Sequence, residues 1–473
     1  MHTIEQIYID GAFVTPHGEE WFDLFNPATE QVIGRVRLAD AKDARDAIAA
    51  AKRAFPAFSR TSKRARIDML KRLHAAVVAK EDELYEAIIE EYGAPVSRGR
   101  WMAQHASNVL SEAAKVLEQY EFTRRAGTAE VVMQPLGVAG LITPWNSNAG
   151  FICGKLAAAL AAGCTTVIKP SEMSALQTQV VMQALHEADL PPGVFNIVTG
   201  RGDSVGAQIS SHPDVAKISF TGSTAVGKTI LRTGADTLKR VTLELGGKSP
   251  TIVLDDADFD QVVPLAINAG FMNSGQACIA GTRILVPRQR LAEFEARVRD
   301  EVAQAQSGDP RDPATTVGPM VSQKQWERVQ RYIRIGIDEG ARVIAGGEGR
   351  PDGLDAGWFV RPTVFSDVTN DMTIAREEIF GPVLSIIAYD DTEQAIQIAN
   401  DTNYGLQAYV FSGDKVRAHE VASRIEAGRV LVNTLAHEPA APFGGFKQSG
   451  IGREYGVYGI EAFLEPKAVL GVL

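Results

Sequence analysis

Residues 218–229 read ISFTGSTAVGKT, and two folds compete for them. From Gly222 to Thr229 the segment fits a phosphate-binding loop: Gly, four residues, Gly-Lys-Thr, after an apolar run and at the start of a helix. The run TIVLDD at 251–256 ends in Asp255 and Asp256, where a nucleotidase would hold magnesium. A P-loop nucleotidase using Gly222–Thr229 is therefore one reading. The other comes from the surrounding chain. From residue 137, short apolar strands alternate with helices: GVAGLI, FICGKLAAALAA, TTVIKP, a helix over 174–188, FNIV, a short helix, KISF and the helix after Gly227. Strict alternation implies right-handed crossovers and a doubly wound parallel sheet, an α/β fold.

Outward from this core the pattern continues. Asp40 is placed to cap a helix whose Ala44, Ala47, Ile48, Ala51 and Phe55 recur at three- and four-residue steps, and Ile67, Leu70, Leu73 and Val77 mark a second. Beyond TIVLDD, a helix near 258–273 leads to a second α/β run containing TRILVP, amphipathic segments near 289–306 and 321–339, ARVIAGG and LSIIAYD. Two stretches stand apart. EFTRRAGTAEVVMQP (121–135) reads as a polar hairpin, and the tail AFLEPKAVLGVL as a strand that Pro466 confines to a sheet edge. Edge strands of this kind pair either within the chain or with another subunit.

A chain of 473 residues is long enough for two or three domains. Its net charge of −10 argues against a nucleic-acid or anionic-membrane partner, because no basic excess is available to displace counterions from phosphates. The start, MHTIEQIYIDGAF, lacks the basic flank and apolar core of a secretory leader, and no run approaches a membrane span. Three cysteines, Cys153, Cys164 and Cys278, cannot all pair within one chain, and none has zinc-ligand spacing, so no metal is expected. A reducing, cytoplasmic setting fits.

Candidate chemistry is spread along the chain. FMNSGQACIAGTR sets Cys278 among small residues, between Gly275 and Gly281; a lone cysteine is commonly just a small buried hydrophobe. Glu244, in VTLELGGKSP, is a carboxylate at a strand end. Asn146, in GLITPWNSN, is suited either to donate to an oxyanion or to cap a helix. Lys169 and Glu172, in TTVIKPSE, are a strand-end pair able to hold ribose hydroxyls or simply to pair at the surface.

Each of these has a bland explanation alone. The ordered set TPWN, VIKPSE, FTGSTAVG, LELGGKSP, GQACIAGTR, EEIFGP and PFGGFKQSGIGRE, however, resembles the NAD(P)-dependent aldehyde dehydrogenase superfamily over nearly the whole chain. The resemblance implies an α/β fold with a doubly wound cofactor domain (1–117 and 136–247), a second α/β catalytic domain (248–446) and a small β oligomerisation element (118–135 and 447–473). A homodimer or homotetramer is expected.

It also implies roles. Cys278 would attack an aldehyde as a thiolate, giving a thiohemiacetal, and Asn146 with the Cys278 N–H would hold the oxyanion. Hydride transfer to the nicotinamide would leave a thioester, and Glu244 would act as general base for its hydrolysis. That glutamate distinguishes the hydrolytic branch from the coenzyme A-acylating one. Cofactor contacts would come from Ile142, Trp145, Lys169, Glu172, Gly222, Ser223, Leu245, Glu378 and Phe380. A carboxylate at 172 repels a 2′-phosphate, which favours NAD and leaves NADP as the alternative. Lys155 matches a recurrent lysine of the family with no role assigned.

The chain departs from the commonest family pattern where the aldehyde should sit. Asn146 is followed by Ser147, Asn148, Ala149, Gly150 and Phe151, with Gly154 one turn on, so a wider or more polar tunnel and a bulky or polar substrate are expected. Ser147, Phe151, Ile279, His437 and Phe443 are candidate substrate contacts, with Glu438, Trp101 and Gln104 behind them. GRGDSVG at 200–206 misses the dinucleotide fingerprint by one residue, and Cys153 and Cys164 read as core thiols. A non-catalytic protein on the same fold is the remaining alternative.

Overall fold

The apolar runs Val138–Ile142, Thr165–Lys169 and Val215–Thr221 are buried at every position but one, the pattern of parallel strands covered by helices on both faces. In the computed structural model, which describes residues 1–471, they are central strands of an eight-stranded sheet. Its order is Gly450–Ile451, Arg240–Glu244, Val215–Thr221, Val138–Ile142, Thr165–Lys169, Phe195–Ile197, Ile7–Ile9 and Ala12–Val14. The five strands from Arg240–Glu244 to Phe195–Ile197 are mutually parallel, and the additions at both ends are antiparallel. The chain winds outward from Val138–Ile142 in one direction, then returns to Val215–Thr221 and winds in the other. That reversal opens a crevice at the carboxyl ends of these two strands, the usual ligand position in doubly wound sheets.

A second sheet of seven strands runs Arg342–Ala345, Thr363–Ser366, Val383–Tyr389, Arg283–Pro287, Pro250–Val253, Gln407–Phe411 and Arg429–Val432. All of its pairs are parallel except the one made by Arg342–Ala345. The hairpin Thr123–Ala126 and Ala129–Pro135 forms a third sheet with Leu464–Val469, in which Pro466 sits on an edge strand. The remaining small sheet joins His2–Ile4, Trp21–Phe25 and Val32–Arg37. Residues 472 and 473 of the 447–473 segment lie outside the described residues. Among the described residues no helix is long and apolar enough to cross a membrane.

Local sequence accounts for the helices that buttress the first sheet. Asp40 caps Ala41–Phe58 by accepting from the Lys42 and Asp43 N–H groups, and Asp43 returns a bond to the Asp40 N–H, a closed capping box. Ala44, Ala47, Ile48 and Ala51 are buried as their spacing requires. Phe55 is only half-buried, and Phe58, seven residues beyond Ala51 on the same stripe, takes the core position instead.

The phosphate-loop reading of Gly222–Thr229 fails on geometry. The helix begins at Thr224, with the Ser223 hydroxyl capping the Val226 N–H at 3.4 Å, so only Gly222 and Ser223 remain as a turn. A loop of two residues cannot wrap a triphosphate. Gly227 is already inside the helix, where an added Cβ would strike Leu245, and Lys228 is exposed and donates to Gln448 Oε1 at 2.8 Å. Asp255 and Asp256 follow a strand of the other sheet. Asp255 pairs with Arg417, and Asp256 accepts from the Ser412 hydroxyl and the Asp414 N–H.

Candidate active site

Cys278 follows a turn that ordinary residues resist. Asn273, Ser274 and Gly275 are successively left-handed, with φ of 56°, 57° and 73°. For the two non-glycine residues this costs about 1–2 kcal/mol each, so the surroundings must impose it. They do so through buried polar side chains. Asn273 Nδ2 donates to the Asn146 and Gln276 carbonyls, each at 3.1 Å, and the Ser274 hydroxyl accepts from the Gly318 N–H at 2.8 Å. Gln276 Oε1 accepts from the Val321 N–H at 2.9 Å. Gly275 allows the turn to lie against the Gly381 backbone, where a side chain would collide.

The same scaffold orients Asn146. Its Nδ2 donates to the Gln276 carbonyl at 2.9 Å, which fixes the amide and leaves its second N–H for the cavity it lines. The Cys278 N–H has no backbone acceptor among the described residues. Two donors are thus available beside one sulfur. Burial, then the Glu378 and Glu244 carboxylates, push the Cys278 thiol up to about 12, so the resting group is a thiol.

Glu244 ends the strand Arg240–Glu244 and is almost fully buried, yet among the described residues neither carboxylate oxygen has a hydrogen-bond partner. Burial, then the nearby Glu454, raise its pKa well above the usual carboxylate range. A buried, unpartnered carboxyl is costly and marks a group kept for proton transfer. Gly444 leaves it room, since an added Cβ there would press on Glu244 Oε1, and a Cβ on Gly247 would run into the Cys278 carbonyl.

Cys278, Asn146 and Glu244 share one cavity of about 360 Å³. Ser147, Phe151, Ile279, His437 and Phe443 also line it, as does Trp101. Gln104 is exposed and lies off the lining, since its helix turns His105 inward instead; Glu438 is likewise exposed outside it. Gly154 and Lys155 belong to an adjoining cavity of about 490 Å³. There the buried Lys155 Nζ contacts Glu454 and donates to the Ser219 hydroxyl at 2.9 Å. Arg98, His105, Arg429, Tyr455 and Glu454 were not singled out from sequence. Only Glu454 had a visible cue, as the last residue of PFGGFKQSGIGRE.

The remaining candidates line up along the carboxyl edge of the first sheet. Ile142 ends its strand and Trp145 follows it, meeting Phe380 edge-to-face at 5.4 Å. Lys169 ends the next strand, with its Nζ 3.2 Å from Glu172, and Arg201 approaches Glu172 at 3.4 Å. Burial opposes ionisation of Glu172, but Lys169 and Arg201 outweigh it and hold the carboxyl below its ordinary value. Gly222 and Ser223 form the turn that opens the Thr224–Ala235 helix, and Leu245 packs beneath it. Glu378 arrives from the second half of the molecule and accepts from the Gly247 N–H at 3.1 Å. The strained Phe380 (φ 64°) is pinned by Gln325, which donates to its carbonyl at 2.7 Å.

The sequence model of the aldehyde dehydrogenase family matches residues 13–469. The chain belongs to that family. It is 47% identical to a 3-succinoylsemialdehyde-pyridine dehydrogenase from a Pseudomonas species, over 100% of this chain and 99% of the relative. Among solved structures it superimposes on aldehyde dehydrogenase C of Pseudomonas syringae, a cysteine-to-alanine variant bound to NAD+ and octanal. The TM-score is 0.98 and the identity 46%, covering 100% of this chain and 98% of the other. An aldehyde dehydrogenase of Mycobacterium tuberculosis complexed with NAD+ matches at TM-score 0.96 and 39% identity, over 99% of this chain and 98% of that one.

Proposed function

We propose that this aldehyde dehydrogenase oxidises its aldehyde to the carboxylic acid on Cys278, with NAD as cofactor and water as the final acyl acceptor. The observation that carries this reading is the convergence of Cys278, the oriented Asn146 amide and the unpartnered Glu244 carboxyl on a single cavity. A non-catalytic protein on this fold would have no reason to keep a buried carboxyl without a partner.

The fit for NAD rests on the strand-end crevice. Ile142, Trp145, Gly222, Ser223 and Leu245 supply its walls and a helix N-terminus suited to a pyrophosphate. Lys169 and Glu172 present a charged pair to the adenosine ribose, and Glu378 with Phe380 to the nicotinamide ribose. Relatives crystallised with NAD+ support the assignment. When bound, the cofactor supplies the hydride acceptor.

The protein's own part begins at the sulfur. The resting Cys278 thiol loses its proton to solvent as it attacks, and Glu244, which lines the same cavity, is kept for the later hydrolytic step. Asn146 Nδ2 and the Cys278 N–H stabilise the oxygen of the thiohemiacetal; one such donor is worth about 2.7–4 kcal/mol of barrier. After oxidation to the thioester, Glu244 takes a proton from water as it attacks the acyl carbon. Glu454, close enough to raise Glu244 and held by Lys155, is the next site on a path for that proton.

We take residues 1–117 and 136–247 as the cofactor unit and 248–446 as the catalytic unit. The free edges of the third sheet support 118–135 and 447–473 as the site where subunits join into a dimer or tetramer. Free thiols at Cys153, Cys164 and Cys278 fit the cytoplasm. The test is to mix protein, NAD and a panel of aldehydes while following the reduced cofactor's absorbance. Stoichiometric acid and NADH support the reading; an acyl transfer that requires coenzyme A would contradict the hydrolytic ending.

A further inference from the structure

Two arginines face the aldehyde cavity with no counterion among the described residues. Arg98, on the helix Val96–Gln119, and Arg429, at the start of the strand Arg429–Val432, both line the space around Cys278. Nearby surface arginines behave in the ordinary way: Arg100 pairs with Asp82 at 2.6 Å and Arg424 with Glu393 at 2.5 Å. Among the described residues, neither Arg98 nor Arg429 makes such a pair. Arg98 stacks 4.1 Å over the Trp101 ring, and its Nε is buried with no partner at all.

Among the described residues, the partners of Arg429 are neutral groups. Its Nε donates to Gln407 Oε1 and its Nη1 to His437 Nδ1, both at 2.7 Å, and it lies 5.1 Å over the Phe443 ring. An arginine N–H can only donate, so His437 Nδ1 must accept and the imidazole is neutral. His105 is also neutral, held down to about 4 by burial, then by His437 and Arg98. Glu244 is the one carboxyl group among the lining residues, and among the described residues neither of its oxygens bonds to an arginine. The lining therefore sets two arginines against a single carboxyl group that neither of them pairs with. Partly desolvated guanidinium groups of this kind are stable when a planar anion completes their hydrogen bonds.

We propose that the physiological aldehyde carries a carboxylate at the end remote from its carbonyl, and that Arg429 and Arg98 receive that carboxylate while Cys278 attacks the other end. This deepens the dehydrogenase reading and rests on it. A cavity of about 360 Å³ is larger than a two-carbon aldehyde needs and accommodates an ω-oxo acid.

The test compares length-matched pairs with saturating NAD: 4-oxobutanoate against butanal, 5-oxopentanoate against pentanal, and so on to 8-oxooctanoate against octanal. At the preferred length the acid should exceed its neutral partner in kcat/KM by about 10- to 100-fold, mainly through KM, as expected for charge-assisted hydrogen bonds. Added KCl should raise KM for the acid and leave the neutral aldehyde's KM nearly level. Arg429→Met and Arg98→Met should each shrink the acid-to-neutral ratio. The wild-type comparison stands even if a variant fails to fold. A wild-type ratio near or below one at every length would overturn the proposal and leave the reaction intact. Failure of every aldehyde to reduce NAD would overturn the dehydrogenase reading as well.

Discussion

The strand-end crevice proposed for NAD and the cavity around Cys278 are assembled from different kinds of chain. Most of the crevice comes from the carboxyl ends of adjacent parallel strands: Ile142, Lys169, Thr221 with Gly222, and Glu244 with Leu245. Each contribution is a short motif locked to the end of an apolar run. The cavity instead draws Arg98, Trp101 and His105 from a helix face, Phe151 from another helix, and Arg429, His437, Phe443 and Tyr455 from late strands and loops. A parallel sheet fixes strand ends relative to one another, so one architecture can hold one cofactor. Helix faces and loops vary without disturbing that frame, and selectivity for the aldehyde is placed there.

Substitutions on either side should separate the two functions. Asn146→Ala stands on the boundary and should have the largest effect, lowering kcat by about 10²–10³-fold while the Kd for NAD stays close to wild type. A matching loss of NAD binding would show that Asn146 organises the crevice and not the oxyanion. Glu172→Gln acts on the cofactor side alone. Removing the carboxylate frees Lys169 and Arg201 to meet a 2′-phosphate, so the NADP-to-NAD ratio of kcat/KM should rise by about tenfold, with the ranking of aldehydes unchanged. Lys228→Ala touches neither region. As an exposed helix residue bonded to Gln448, it should alter kcat/KM by less than about twofold, whereas a nucleotide-binding role would make it severe.

How far each region was legible in sequence follows from the same contrast. The doubly wound sheet could be read because parallel strands buried on both faces are uninterrupted apolar runs, and ISFTGSTAVGKT found its place as strand, two-residue turn and capped helix. Its likeness to a triphosphate loop dissolved once the helix was seen to start at Thr224, because hydrogen bonding at Ser223 sets the register and the spacing of glycines does not. Cys278, Glu244 and Asn146 stood in motifs with fixed neighbours. Arg98 and Arg429 did not. Each looks like one more surface arginine until the tertiary structure turns it inward and withholds a carboxylate. His105 was missed for a related reason: Trp101 and Gln104 were picked from the same helix, but its rotation, set by packing of Met102, Ala103 and Ala106 in the core, selects Trp101 and His105.

The protonation states carry a sign that can be checked. Because burial and Glu454 raise Glu244, the group is a neutral acid at low pH and becomes an effective base only as pH climbs through its elevated pKa. Steady-state kcat limited by thioester hydrolysis should therefore go on increasing with pH beyond the point where an ordinary carboxylate would be fully ionised.

The claim at the centre is a covalent acyl group on Cys278 that Glu244 helps water to remove. It is tested most directly by rapidly mixing Glu244→Gln protein with NAD and aldehyde, following NADH, and measuring intact protein mass after an acid quench. The expected result is a burst approaching one NADH per active site, slow steady turnover and a mass increase of one acyl group on Cys278 that Cys278→Ala abolishes. Steady turnover at the wild-type rate with no adduct, or an adduct on another residue, would contradict it.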